Sequence, residues 1–142
     1  MTISLNGTTG ITGQPAIYEN ITSSATAATG TINYDLITQS ILYYTANASS
    51  NWAVNIRGDA TNTLNSLLAV DQAASIIFLV TQGASSYYPT SLTIDGSSVT
   101  PKWQGAIAPT SGNANGIDAY SYSILKTGNA AYTVLATQSR FA

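Results

Sequence analysis

The side chains that could carry out catalysis are few in this chain. Its 142 residues include no histidine and no cysteine. Their absence rules out a Ser-His-Asp or Cys-His arrangement, thiol chemistry and thiolate metal sites. The serine pairs Ser85-Ser86 and Ser97-Ser98 therefore have no histidine to activate them. The sequence predicts no nucleophilic catalytic site.

The acidic residues are scattered singly along the chain: Glu19, Asp35, Asp59, Asp71, Asp95 and Asp118. A glycosidase needs two carboxyl groups about 5–10 Å apart in one groove. Strands can bring distant residues together, so an enzyme acting on surface polysaccharide stays an alternative that requires such a pair. With so few carboxylates available, we expect a protein that is not an enzyme and that uses no cofactor.

Two short segments only partly match known ligand-binding loops. Residues 10–13 (GITG) lack the spacing and the lysine of a phosphate-binding loop. Residues 113–118 (NANGID) place oxygen-bearing side chains at alternate positions, but they lack the downstream glutamate of an EF-hand loop. We interpret 113–118 as a turn and predict no metal site.

Charged residues make up only 7% of the chain, against roughly 25% in typical soluble domains. Four basic residues are too few for a phosphate-tracking surface, so nucleic-acid binding is not expected. The longest run of large apolar residues is 76–80, far short of the roughly 20 residues of a membrane helix, and the N-terminus has no signal-peptide pattern. Removing uncharged polar groups from water costs less free energy than removing charged groups, so the scarcity of charge favours contact with other subunits. The alternative explanation for the scarcity of charge is a compositional bias of the source proteome.

Adjacent tyrosines mark a candidate interface. In a strand, one member of each pair Tyr43-Tyr44 and Tyr87-Tyr88 must face away from the core. Outward tyrosines can anchor a protein interface or stack on sugar rings, and partial burial under a loop is the structural alternative. Trp52 and Trp103 are expected to be core or loop anchors.

Strand patterns dominate from residue 36 onward. Residues 41–45 and 52–57, joined by the turn cluster 46–51, are interpreted as a hairpin. Residues 76–80 are apolar on both faces, which predicts a central strand or one covered by a partner chain.

Two further hairpins and one helix are predicted. Asp95-Gly96 is a tight-turn signal between 91–94 and 97–99. Residues 118–124 and 131–136 alternate cleanly around the turn 127–129. Leu64, Leu67 and Leu68 favour a short helix within 63–74, capped by Asn62 or Thr63. The pattern predicts an all-β fold, an antiparallel β-sandwich or jelly roll.

The first 33 residues differ from the rest, because they are rich in small residues and turn formers. We expect residues 1–33 to be an extended N-terminal arm and 34–142 to be the β-sandwich domain. Ile3, Leu5, Ile17 and Tyr18 are too apolar for a solvated tail, so we expect this arm to order against a neighbouring subunit. A flexible N-terminus is the alternative.

A family resemblance is carried by segments in a fairly specific order. They are 44–49 (YTANAS), 52–58 (WAVNIRG), 78–84 (FLVTQGA), 88–89 (YP), 94–96 (IDG), 101–105 (PKWQG), 108–109 (AP), 112–114 (GNA) and the last two strands. In these segments, about two-thirds of its length, the chain resembles a module of structural proteins of tailed bacteriophages, especially cyanophages.

The resemblance implies a virion component without catalytic residues that is expected to form homotrimers. The lack of a stalk or heptad repeat favours a capsid decoration or cement protein on the virion surface, made in the host cytoplasm. Its partners would be further copies of itself and the major capsid protein or tail components. The alternative is a tail-fibre or receptor-binding knob that recognises host glycans.

Overall fold

Strands account for most of the described chain. The structure is a computed structural model that describes residues 19–142. Its strands are β1 (Ile21–Ala27), β2 (Gly30–Asp35), β3 (Ile41–Ala46), β4 (Trp52–Arg57), β5 (Ala73–Thr81), β6 (Pro89–Ile94), β7 (Ser97–Val99), β8 (Lys102–Trp103), β9 (Ile117–Gly128) and β10 (Ala131–Phe141). A helical turn, α1, spans Leu64–Leu67, and a 3₁₀ turn spans Gln104–Ala106. The predicted all-β class is confirmed.

The strands form two sheets, and successive strands from β1 to β6 alternate between them. One sheet has six strands in the order β1-β3-β5-β9-β10-β8, and the other has four in the order β2-β4-β6-β7. Strands β1, β3 and β5 are mutually parallel, as are β2, β4 and β6. Both sheets are therefore mixed, which corrects the antiparallel arrangement predicted from the sequence.

The predicted hairpin of 41–45 with 52–57 is wrong. β3 and β4 lie in different sheets, and the segment 47–51 carries the chain from one to the other. Alternation gives each strand one apolar face, but it does not distinguish a neighbour within the sheet from a neighbour across the core.

Side chains from both sheets form a single buried cluster. At its centre the ring of Trp52 on β4 lies edge-on to Phe78 of β5 and to Tyr120 of β9, with centroid distances of 6.0 and 5.9 Å. The hydroxyl of Tyr34 on β2 donates a hydrogen bond of 3.2 Å to the carbonyl of Ile77 on β5. Aromatic side chains thus connect the two sheets at the centre of a cluster whose other buried members are aliphatic.

Both hairpins around β6–β7 and β9–β10 are confirmed. Asp95 (φ 51°) and Gly96 (φ 80°) are both in the left-handed region, as a two-residue type I′ turn requires. β9 pairs with β10 along almost its whole length, and β5 lies between β3 and β9, the central position predicted for 76–80.

The helix begins where predicted but ends early. The Thr63 hydroxyl accepts from the amide of Ser66, and Leu68 is already extended. Only Leu64 is buried, so a longer helix would have gained little. The carboxylate of Asp95 accepts from the amides of Leu64 and Asn65 at 2.7 and 3.0 Å, a second cap that sequence reasoning missed.

The expected arm of 1–33 overlaps the first two strands. β1 pairs with β3 and β2 pairs with β4, so the boundary at 33/34 falls within β2. β1 and β2 are edge strands of different sheets, and β2 is anchored by the buried side chains of Ile32 and Tyr34. Residues 1–18, with the candidate contacts Ile3, Leu5, Ile17 and Tyr18, lie outside the described residues.

The buried tyrosines predict alkaline destabilisation. Burial raises the pKa of Tyr34, Tyr120 and Tyr122 above its ordinary value. Because the folded-state pKa exceeds the unfolded one, the protonated phenols contribute stability that is present below about pH 10 and lost as pH rises further. We expect a lower urea midpoint above about pH 10, with tyrosinate absorbance of these residues appearing together with unfolding. Tyr122→Phe should weaken this pH dependence; an unchanged midpoint in the unsubstituted protein would contradict the prediction.

Candidate interaction surface

The outer face of the six-stranded sheet carries no charge across five neighbouring strands. We call this surface the uncharged face. It consists of the odd-numbered residues of the ranges 21–23, 41–45, 73–81, 117–127 and 133–141. None of these described residues is Asp, Glu, Lys or Arg. The strand register extends the face to Lys102, which pairs with Leu135 on the edge strand β8.

Apolar side chains form rows across this face. Ile41 lies beside Ile77, and Tyr43 lies beside Leu79, which in turn pairs with Ala119. The exposed fractions of Ile21, Leu125, Leu135 and Phe141 are 59%, 37%, 47% and 56%, respectively. The remaining positions are almost all serine or threonine. A surface of this width that combines exposed apolar groups with hydroxyls is typical of an interaction surface.

The outer face of the four-stranded sheet is different. Asn55 receives a 2.7 Å hydrogen bond from the Thr93 hydroxyl and donates a 2.9 Å bond to the Asn33 side chain. Next to them, Arg57 and Asp35 form an ion pair at 2.6 Å. This face satisfies its polar groups internally and is suited to contact with water.

The structure does not bring the four predicted tyrosines onto one surface. Tyr43 lies on the uncharged face, where its hydroxyl accepts a 3.2 Å bond from Thr81. Tyr44 points to the opposite side and contacts Phe78 edge-on at 5.6 Å, and its burial raises its pKa. Tyr87 packs against the core, and Tyr88 lines a groove described below.

Two carboxylates share a shallow groove of about 330 Å³ beside Arg57. Asp59 accepts from the side-chain amide of Asn62 at 2.9 Å and from the backbone amides of Thr61 and Asn62, both at 2.7 Å, and these hydrogen bonds lower its pKa to about 2. Asp95 caps α1. Both carboxylates are engaged in capping hydrogen bonds, Asp59 within its own turn and Asp95 at the start of α1.

A buried polar network lies where β9 begins. Asp118 is fully buried and accepts from the side chain of Gln82 at 2.8 Å and from the amide of Asn113 at 2.9 Å. Gln82 also donates to the carbonyl of Tyr87 and accepts from its amide. The network fixes both loops 83–88 and 110–116, and the 113–118 segment contains the predicted turn. Gln82 has no sequence signal that would have identified this role.

A groove with adjoining cavities runs past the edge strand β8, and we call it the Trp103 groove. Trp103 lines each of three cavities of about 280, 260 and 750 Å³. The wall includes Tyr88, Pro101, Pro109 and the solvent-exposed Ile107. β8 pairs with β10, and the Trp103 ring packs against the Tyr122 ring with a centroid distance of 6.1 Å. These contacts hold the Trp103 side chain in place.

Comparison with known proteins gives no family assignment: the chain matches no protein-family model, no curated protein and no solved structure. Within residues 19–142, no group of three or more acidic side chains is placed to hold a metal ion. No helix in the same range is both long and apolar enough to cross a membrane.

Proposed function

We propose that this chain is a non-enzymatic structural protein of the tailed-phage virion surface, a homotrimeric capsid decoration or cement protein. The uncharged face carries the self-association part of this proposal. The resemblance of segments such as 52–58 and 101–105 to phage structural modules supports the virion part.

The chemistry of the uncharged face suits contact with a second copy of itself. Its polar groups are nearly all hydroxyls, and a hydroxyl both donates and accepts hydrogen bonds, so it can pair with whichever hydroxyl or carbonyl of a neighbouring copy lies opposite it. Opposed carboxylates or amines would repel each other instead. Apolar groups such as Leu125 and Leu135 gain by leaving water, and the outward-facing side chains of these five strands include no charge that would have to be desolvated.

The size of the face is also adequate. Five strands spaced by about 4.8 Å make a surface about 20–25 Å wide. β9 is the longest of them, with 12 residues. Stable interfaces bury on the order of 800 Å² per partner, and a face of these dimensions can supply such an area.

The proposed arrangement takes the two sheets as layers of a β-sandwich. Three copies would turn their six-stranded sheets toward a threefold axis and leave the hydrogen-bonded face around Asn55 in water. The major capsid protein or a tail component would then contact the outside of the trimer.

Self-association is tested by light scattering of the purified protein and of two variants, each of which carries one new charge on the outer face of one sheet. The unsubstituted chain should have the mass of a trimer. Leu125→Glu puts a carboxylate on the uncharged face, at a side chain that is 37% exposed, so the fold should tolerate it. We expect this variant to dissociate, because a carboxylate on each copy would have to be removed from water at the interface.

Thr31→Glu is the matched control, since Thr31 lies exposed on the outer side of β2. It should remain trimeric. A monomeric unsubstituted protein, or a Leu125→Glu variant that stays trimeric with unchanged thermal stability, would contradict the proposal. Deletion of residues 1–18 leaves every described strand in place and would show whether that segment contributes to assembly.

The second candidate function is a tail-fibre or receptor-binding knob that recognises host glycans. The Trp103 groove favours it, because an aromatic ring in an open groove is a stacking surface for sugar rings. The two functions use different surfaces and can be tested separately.

A further inference from the structure

We propose that the Trp103 groove binds an anionic oligosaccharide, with a sugar ring on Trp103 and acidic groups of neighbouring sugar units near Lys102 on one side and Arg140 on the other. The inference rests on the second candidate function above and names its ligand class. Its test is separate from that of self-association, although Lys102 borders the uncharged face.

The distribution of positive charge is the first argument. The chain has four basic side chains. Arg57 is paired with Asp35, and the buried ammonium group of Lys126 donates to the carbonyls of Asn65 and Leu68. The other two line separate cavities of the Trp103 groove: Lys102 one cavity, and Arg140, which also donates hydrogen bonds to Ser111, another. Neither is paired with a carboxylate in a salt bridge among residues 19–142.

No acidic residue among 19–142 lines any of the three cavities of the groove. The groove is therefore a local region of positive charge on a chain whose net charge is −2. A negatively charged ligand is attracted there and a cationic one is not.

The lining around Trp103 distinguishes a sugar from other anions. Gln104, Thr90 and Ser91 lie along the groove and offer amide and hydroxyl groups of the kind that hydrogen-bond to sugar hydroxyls. Two cations are too few to track the regularly spaced phosphates of a nucleic acid. A uronic acid ring, which has an apolar face, several hydroxyls and one carboxylate, matches all of these features.

The indole itself provides the readout. The chain has two tryptophans, and Trp52 is 1% exposed, so fluorescence changes caused by a ligand in solution report on Trp103. Alginate oligosaccharides, which are polyuronates, are the probe, and dextran oligosaccharides are the neutral comparison. We expect saturable quenching by alginate that weakens with added salt, and affinity for dextran lower by about tenfold, a difference of about 1.4 kcal/mol.

Substitutions locate the site. Lys102→Gln and Arg140→Gln should each weaken alginate binding by about threefold, in the range of exposed ion pairs. Arg57→Gln removes the same charge from the outer face of the other sheet and should leave binding unchanged. Trp103→Ala should abolish binding measured by calorimetry, and Trp103→Phe retains an aromatic ring if the alanine variant fails to fold.

Several outcomes would overturn the inference. The inference is wrong if alginate does not bind, or if dextran or an oligothymidylate binds at least as tightly as alginate. It is also wrong if Arg57→Gln weakens alginate binding as much as Lys102→Gln and Arg140→Gln do. Light scattering of the same samples keeps the two proposals apart, because alginate binding by a monomer would support the groove while contradicting self-association.

Discussion

Replacing Trp52 with alanine should lower the free energy of unfolding by about 3–5 kcal/mol. The side chain is 1% exposed and lies between Phe78 and Tyr120 of the opposite sheet. Truncation would remove these contacts and leave a cavity at the point where the two sheets meet, which the rigid strands can only partly fill. Urea denaturation at one fixed protein concentration measures the effect, since association adds to the apparent stability.

Trp52→Phe is the matched variant, and it tests a second feature of the site. Among residues 19–142, the indole nitrogen of Trp52 is buried without a hydrogen-bond partner. Phenylalanine keeps most of the aromatic packing and removes this donor, whose burial costs about 1–3 kcal/mol. We therefore expect a much smaller loss than for alanine. An alanine variant as stable as the phenylalanine variant would show that Trp52 does not join the sheets.

Gly112→Ala should destabilise the protein by about 1–3 kcal/mol or more, through overpacking. A Cβ atom at this position would lie 2.5 Å from both the Gln82 amide nitrogen and the Tyr87 carbonyl oxygen, and 2.6 Å from an Asp118 oxygen. All three atoms belong to the buried polar network, so relieving the clash would break hydrogen bonds of Asp118. Thermal denaturation should show a lower midpoint.

Gly128→Ala provides the control for this prediction. Its added Cβ would meet only the Cβ of Ala131, at 3.4 Å, which is ordinary van der Waals contact. This variant should be unchanged or slightly more stable, because alanine restricts the unfolded chain. Equal effects of the two substitutions would mean that the network around Gln82 and Asp118 is not as rigid as described.

The strands and their inward faces could be predicted from local patterns. The alternation of Tyr120, Tyr122 and Ile124 identifies the buried side of β9, and Asp95-Gly96 identifies a tight turn. The cap by Thr63 was also predictable, because its hydroxyl acts on an amide three residues away. Each of these features depends on residues close together in the chain.

The site features could not be predicted in the same way. The uncharged face exists because β1, β3, β5, β9 and β10 become neighbours, and the sequence separates them with the strands of the other sheet. Alternation predicted that one member of the pair Tyr43-Tyr44 faces away from the core, and only the packing of the strands showed that it is Tyr43. Trp103 was expected to be an anchor, and only the packing of β8 against β10 shows that it also lines a groove.

By itself, the sequence determined the all-β class, the lack of histidine and cysteine chemistry, and the scarcity of charge. These properties follow from composition and from side-chain periodicity, which act over a few residues. The tertiary structure decided which strands are neighbours, and so which uncharged residues combine into one face and that Lys102 and Arg140 each line a cavity beside Trp103. Strand alternation gives each strand an inner and an outer side, but long-range packing alone chooses its partners.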